Sequence, residues 1–242
     1  MGTTAQHGLA RWAGLAYFIV IVTGVFALAY APGVLFAGAD DGAAIRQSVV
    51  THLPLYRGAI VAEAACYAAF LILPLLLYRL LREAGEISAT IMAGLAIASV
   101  PLGFANMAHQ FDILRIAEGA PLTSTLSDDA RATQLALARQ GYRDGMLMLQ
   151  VFWGGWLIPF GLLVFRCGFL PRWIGVLLVL AGLGYVGDFV GRMLFDGYAS
   201  SALPRVLRAP RMGEMLICAW LILFGARRGI PLPSFIGKRR AA

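Results

Sequence analysis

The sequence predicts an all-α fold, a polytopic integral membrane bundle of six transmembrane helices with both termini in the cytoplasm. Three observations carry this reading. Hydrophobic residues make up 60% of the 242 and charged residues only 14%, with a mean hydropathy of +0.75, outside the range of ordinary soluble domains. Apolar runs recur along the chain, each close to the ~20 residues a helix needs to cross a bilayer. The breaks between them are short or rich in Gly, Pro and bases. Arg166-Cys-Gly-Phe-Leu-Pro-Arg172 is too short for anything but a tight turn and makes a helical hairpin of residues 142 to 195.

The first apolar run, Trp12 to Tyr30, follows eleven mostly polar residues. Ala27-Leu28-Ala29 has the small-residue pattern of a signal-peptidase site, but the run is longer than the usual h-region, so a retained first helix is expected. Residues 31 to 55 read as an outer loop in which Asp40 and Asp41 cap a short amphipathic helix through Val50. The second span is expected from about Arg57 to Leu81 and the third from about Ser88 to Phe111. Pro74, Pro101 and, in the fourth span, Pro159 each remove a backbone donor and are expected to kink their helices. Residues 112 to 141 read as an outer loop with a turn at Gly119-Ala-Pro121 and a surface helix starting at Ser127-Asp-Asp129. After the fifth span, residues 196 to 210 form an outer turn, a sixth span runs from about Arg211 to Ala226, and residues 227 to 242 are a basic tail. The whole is expected to be one transmembrane domain.

Orientation follows from the bases. The side holding the termini carries ten bases against two acids, Glu83 and Glu86, in short loops; the other side carries ten bases against eleven acids. The positive-inside rule therefore assigns the termini to the cytoplasm. The net charge of +7 does not point to nucleic acid, because apolar runs separate the bases and no basic stripe is interleaved with aromatics. Cys66, Cys167 and Cys218 form no C-x-x-C pair, so neither a disulfide framework nor a thiolate metal site is indicated.

Three stretches resemble a bacterial membrane family catalogued as domain of unknown function 4386. They are Ala10-Arg-Trp-Ala-Gly-Leu-Ala-Tyr17, Leu55-Tyr-Arg-Gly58 leading to Glu63, and Phe165-Arg-Cys-Gly-Phe-Leu-Pro-Arg-Trp-Ile-Gly175 followed by Ala181-Gly-Leu-Gly-Tyr185 and Asp188. The resemblance covers roughly residues 8 to 195 and is thinnest over 87 to 140. It implies a membrane fold in a bacterial cytoplasmic (inner) membrane and brings no activity with it.

The polar residues inside the spans are expected to form two layers. At 1.5 Å per residue, Glu63 lies ~9 Å below Arg57, and Asp188 ~9 Å from the outer end of its helix. Asn106, Gln150 and Glu214 fall at similar or shallower expected depth. Arg57, His109, Arg143, Arg192 and Arg211 lie above them, beside Asp112 and Asp144. Ionisable residues cost ~2.5 to 3.5 kcal/mol at a bilayer centre, so they normally face the bundle interior and find partners. Asp188 and Arg192 at i, i+4, and Arg211 and Glu214 at i, i+3, are spaced to pair.

Two readings of these layers stand side by side. One is a structural network of ion pairs. The other is an outward-facing pocket floored by Glu63, Asp188 and Glu214 as acid–base groups, rimmed by Arg57, Arg143 and Arg192, and walled by Trp153, Trp156 and Trp220. Methionines near His109 and Asp112 do not amount to a metal site, since only one histidine falls in a span. Gly187-Asp-Phe-Val-Gly191 fits close contact with a neighbouring helix. No P-loop, G-x-S-x-G, H-E-x-x-H or dinucleotide fingerprint occurs, so no cofactor is expected.

Three functions compete. The first is a cofactor-independent enzyme, an isomerase, cyclase or hydrolase acting on an isoprenoid- or lipid-like molecule with a buried carboxyl as general acid or base. The second is a proton- or cation-coupled transporter or a ligand-sensing module. The third is a structural partner in a membrane assembly. The expected partners are the lipid bilayer and a lipophilic small molecule. Three carboxyls converging on one cavity favour the enzyme, a continuous polar path favours transport, and a filled core favours the structural partner.

Overall fold

The computed structural model describes residues 3–39, 41–121 and 125–226, and among them all regular structure is helical. Five stretches are long and apolar enough to cross a membrane: Gln6–Leu35, Leu53–Ala84, Glu86–Ala117, Asp128–Arg166 and Arg172–Leu194. Large apolar side chains, among them Phe18, Val22, Val61, Ile72 and Leu183, point outward from these helices. That arrangement suits hydrocarbon surroundings and not water.

Helix α1 (Thr3–Val25) does not stop where the first apolar run ends. It passes through a π turn, Phe26–Tyr30, into α2 (Ala31–Leu35). Pro32 has no N–H to give the carbonyl four residues back, and the preceding bonds re-register, with the Ala31 amide reaching the carbonyl of Phe26. The start of the expected outer loop is therefore helical. Helix α3 (Gly42–Thr51) is capped as expected by Asp41, whose carboxylate accepts from the amide of Ala44 at 2.7 Å. Asp40 lies outside the described residues.

Helices α4 (Leu53–Leu81) and α5 (Glu86–Asn106) form an antiparallel pair, and α6 (Ala108–Ala117) continues α5 past Met107 to a left-handed Gly119. Ser127 starts α7 (Asp128–Arg166) by accepting from the amide of Ala130. The expected surface helix and the expected fourth span are one unbroken helix of 39 residues. Residues 112–141 are thus mostly helix, because nothing between Ser127 and the span breaks the ladder. Pro74, Pro101 and Pro159 all sit inside continuous helices.

Helix α8 (Arg172–Leu194) returns beside α7 after the Cys167–Pro171 turn. The two backbones nearly touch, because Gly154 faces Gly182 and Gly161 faces Gly175 and no Cβ would fit at any of the four. The bundle thus has a turn end, with the Arg82–Gly85 and Cys167–Pro171 breaks, and an opposite pocket end, where α2, α3 and α6 lie.

The expected sixth span is not a long helix. After α8 the chain folds back as a 3₁₀ turn at Tyr198–Ser200, α9 (Leu203–Arg208), a second 3₁₀ turn at Ala209–Arg211, and α10 (Met212–Leu223) of 12 residues. It descends along the glycines of α8. Tyr198 lies on Gly191, the carbonyl of Leu207 on Gly184, and Gly213 on Leu177. Near the turn end α10 reaches α1, where Leu221 and Ile222 cross Gly14, and Gly225 lies against His7. The expected basic tail, residues 227 to 242, lies outside the described residues.

The glycine contacts correct one depth. Glu214 follows Gly213, which meets Leu177 five residues from the start of α8, so it sits ~8 Å from the turn end. Counting residues inward from an expected span at Arg211 missed this, because that segment enters the bundle well before Arg211. Between α4, α5, α7 and α8 the turn-end half is packed by Leu73, Leu77, Met92, Phe160, Leu163 and Leu178, all buried.

Candidate functional site

Glu63 lies on the buried face of α4 with 1% of its surface exposed. Its Oε2 accepts from the hydroxyl of Tyr142 on α7 at 2.7 Å and from the side-chain amide of Gln110 on α6. Tyr67, four residues along α4, points its hydroxyl toward the Sδ of Met146 and interacts electrostatically with the same carboxyl. The other oxygen, Oε1, is buried with no hydrogen-bond partner among the described residues. Asn106 fixes the approach of α7 by donating to the backbone carbonyl of Tyr142 at 3.0 Å.

Asp188 is likewise buried, on α8. Arg192 pairs with it from the next turn at 3.4 Å, as the i, i+4 spacing predicts. Tyr198 adds its hydroxyl at 3.1 Å from the returning segment. Both oxygens of Asp188 are therefore engaged, so this acid ties the turn after α8 to the helix.

Between these two acids lies a cavity of about 850 Å³ at the pocket end. Neither carboxyl lines it directly. One wall carries Tyr142 and Gln110, the two donors to Glu63, and another carries Arg192 and Tyr198, the two donors to Asp188. The π turn and the residue that ends α2 close a third side with Leu28 and Phe36. Most of the other polar groups come from α7. Arg139 donates to the carbonyl of Ala39 at 2.6 Å and covers the ring of Phe36. Gln150 holds a buried Oε1 with no partner, and Arg143, exposed at the lining, makes no ion pair or hydrogen bond among the described residues. Three guanidinium groups therefore share a cavity with two exposed acids, Asp144 and Asp196. Such a space suits an apolar body with an anionic or hydrogen-bond-accepting head.

The family model described as a domain of unknown function (DUF4386) matches residues 12–225. The chain belongs to this family. The match runs past residue 195, where the resemblance was expected to fade, and takes in the returning segment. An uncharacterized protein of Archaeoglobus fulgidus is 34% identical over 77 residues, 32% of this chain and 44% of that protein. The chain thus matches less than half the length of that relative. No solved structure matches.

The third expected acid of this DUF4386 member belongs elsewhere. Glu214 accepts from Tyr17 at 3.0 Å and from Tyr185 at 3.3 Å, in a cluster joining α1, α8 and α10 near the turn end. Its expected ion pair with Arg211 does not form. The guanidinium of Arg211 stacks over the ring of Tyr185 at 3.7 Å, and its Nε and Nη2 are buried without acceptors among the described residues. The i, i+3 spacing misled because a 3₁₀ turn ends at Arg211, which changes the angle between the two side chains.

The remaining expected residues also disperse. Arg57 pairs at the surface with Glu118 and does not rim the cavity. His109 lines a second pocket of about 440 Å³ with Asp112, Arg115 and Gln134. Trp156 is a core residue, stacked on Phe160 and edge-on to Phe70, both at 5.3 Å. Trp153 contacts Tyr185, and Trp220 packs on Phe224 with a buried Nε1 that has no hydrogen-bond partner among the described residues. None of the three tryptophans lines the cavity. Among the described residues no three His, Cys, Asp or Glu side chains group as a metal site needs.

Sequence reading overlooked Gln110, Tyr142, Tyr198 and Arg139. All four are polar residues near the ends of apolar runs, and that position was the only available signal. Their partners are set by how α6, α7 and the returning segment fold over α4 and α8.

Proposed function

We propose that this DUF4386 member binds an amphipathic small molecule, with an apolar body and an anionic or oxygen-bearing head, in the cavity between Glu63 and Asp188. The observation that supports this most is the composition of the walls. Arg139, Arg143 and Arg192 face the same space, while both neighbouring carboxyls are held back by hydrogen bonds. We also propose that the returning segment completes a sixth crossing and that the cavity opens to the outer side of a bacterial cytoplasmic membrane. Arg79, Arg82, Arg166 and Arg172 at the turn end support that orientation.

A second reading, that the bound molecule is also a substrate, draws support from Glu63. Tyr142 connects it to the cavity through a hydrogen bond, the reach that proton transfer needs, and its Oε1 has no hydrogen-bond partner among the described residues. A cofactor-independent reaction on an isoprenoid- or lipid-like substrate would then use Glu63 as general acid or base through the phenol of Tyr142. Asp188 suits this role less, with both oxygens engaged, and Glu214 does not reach the cavity. The transport reading draws little support, since the apolar packing between α4, α5, α7 and α8 offers no polar route from the cavity toward Arg79 or Arg166.

The test uses the full chain in lipid nanodiscs, with a fluorescent fatty acid and the matching fatty alcohol as probes. Saturable binding of both is expected, with Arg143→Gln weakening the acid several-fold and the alcohol little. Absence of saturable binding by either probe overturns the proposal.

A further inference from the structure

We propose that Arg205, Arg208 and Arg211 form a column on the returning segment that holds the phosphate of an anionic phospholipid within the pocket-end half of the bilayer. The depth of the column comes from α8. The carbonyl of Leu207 rests on Gly184, ten residues from the end of α8 at Leu194, so Arg205 and Arg208 flank a point ~15 Å below that end. Beyond Arg211 the backbone runs on to Gly213, which meets Leu177, while the Arg211 guanidinium turns back over Tyr185, at about the level of Gly184.

The three arginines recur at every third residue, the first pair within α9 and the last in the 3₁₀ turn, where residues three apart eclipse. Arg205 and Arg208 are exposed and form no ion pair among the described residues. The Nε of Arg208 donates to the carbonyl of Pro204 at 2.9 Å. The terminal nitrogens of Arg208 and the whole guanidinium of Arg205 have no bonded partner among the described residues. The Nε and Nη2 of Arg211 are buried and lack acceptors among the described residues.

Nearby acids do not meet this demand. Asp188 is held by Arg192 and Tyr198, and Glu214 by Tyr17 and Tyr185. A guanidinium at membrane depth needs an anion or water, and its planar fork fits phosphate oxygens. The ligand chemistry is therefore a phosphate ester. Its source is a lipid, because the side chains exposed beside the column, Leu203, Val206, Met212 and Met215, are apolar and belong against acyl chains. Arginine side chains reaching toward the interface would draw the headgroup down beside α9.

The test is thermal unfolding of the full chain in dodecyl maltoside, followed by tryptophan fluorescence. Dioleoyl-phosphatidylglycerol, dioleoyl-phosphatidylcholine and sn-glycerol-1-phosphate are added separately at equal concentration. Phosphatidylglycerol is expected to raise the midpoint by several degrees, phosphatidylcholine by less than half as much, and glycerol phosphate not at all. The double variant R205Q/R208Q is expected to lose the difference between the two lipids while keeping its midpoint in phosphatidylcholine. Equal shifts from both lipids, or a double variant that responds like the wild type, overturn the site. A shift from glycerol phosphate equal to that from phosphatidylglycerol overturns the lipid source. Should the double variant not fold, R205Q alone is examined by native mass spectrometry for retained phosphatidylglycerol, and retention equal to wild type overturns the proposal.

Discussion

Tyr142 stands between Glu63 and the cavity, donating its hydroxyl to the buried carboxyl at 2.7 Å while its own side chain forms part of the cavity wall. Tyr142→Phe keeps the ring and removes the link. A hydrogen bond to a charged or strongly polar buried partner contributes about 1.5–3 kcal/mol, so the variant is expected to unfold at lower denaturant yet still bind the fatty alcohol probe. Unchanged stability would mean that Glu63 does not depend on this bond.

Glu63→Gln separates the binding reading from the catalytic one. The amide preserves shape and loses the transferable proton. Probe binding is expected to persist, and any turnover of a lipid-like substrate is expected to disappear. Loss of the folded protein would instead make Glu63 structural, and the enzyme reading would lose its central residue.

Asp188→Ala strips both Arg192 and Tyr198 of their acceptor. Because Arg192 is about a third exposed, with 32% of its side chain accessible, the cost is expected at roughly 1–3 kcal/mol, below that of a fully buried pair. Thermal unfolding in detergent measures it. A wild-type midpoint would show that the turn after α8 is held by something other than this acid.

Gly184→Leu places a side chain where the carbonyl of Leu207 now lies, so the returning segment cannot dock. Loss of the monodisperse peak in detergent size-exclusion chromatography is expected. Gly94→Ala, at an open position, is expected to behave as wild type. Normal elution of Gly184→Leu would argue against the docked segment.

Cys167, in the turn between α7 and α8, offers a pH readout. Burial pushes its thiol above the usual range, partly opposed by backbone N–H groups at Phe169 and Leu170. Only the thiolate attacks alkylating reagents. Its iodoacetamide labelling is therefore expected to be slow at pH 7 and to accelerate as pH rises beyond the ordinary thiol range. Fast labelling at neutral pH would contradict the burial.

Legibility in the sequence followed the range of the interaction. The apolar runs, the caps at Asp41 and Ser127, and the Asp188–Arg192 pair depend on residues a few positions apart, and all were readable. The donors to Glu63 were not, because Gln110 and Tyr142 lie 47 and 79 residues away and meet it only after α6 and α7 fold over α4. Glu214 was misplaced for a related reason. Hydropathy suggests where a span begins, but the docking of the returning segment along Gly184 and Gly191 depends on the shape of another helix. The π turn rests on Pro32, a residue that falls in the outer loop expected from hydropathy.

The leucine- and phenylalanine-packed region between α4, α5, α7 and α8 has an electrical consequence. A dry layer of low permittivity supports most of a membrane's voltage drop, whereas a wet cavity on one side supports little of it. A proton passing between the cavity and Glu63 would therefore traverse only a small part of the field. Its occupancy would follow the acidity of the compartment the cavity opens to, and changes in membrane potential would leave it nearly untouched.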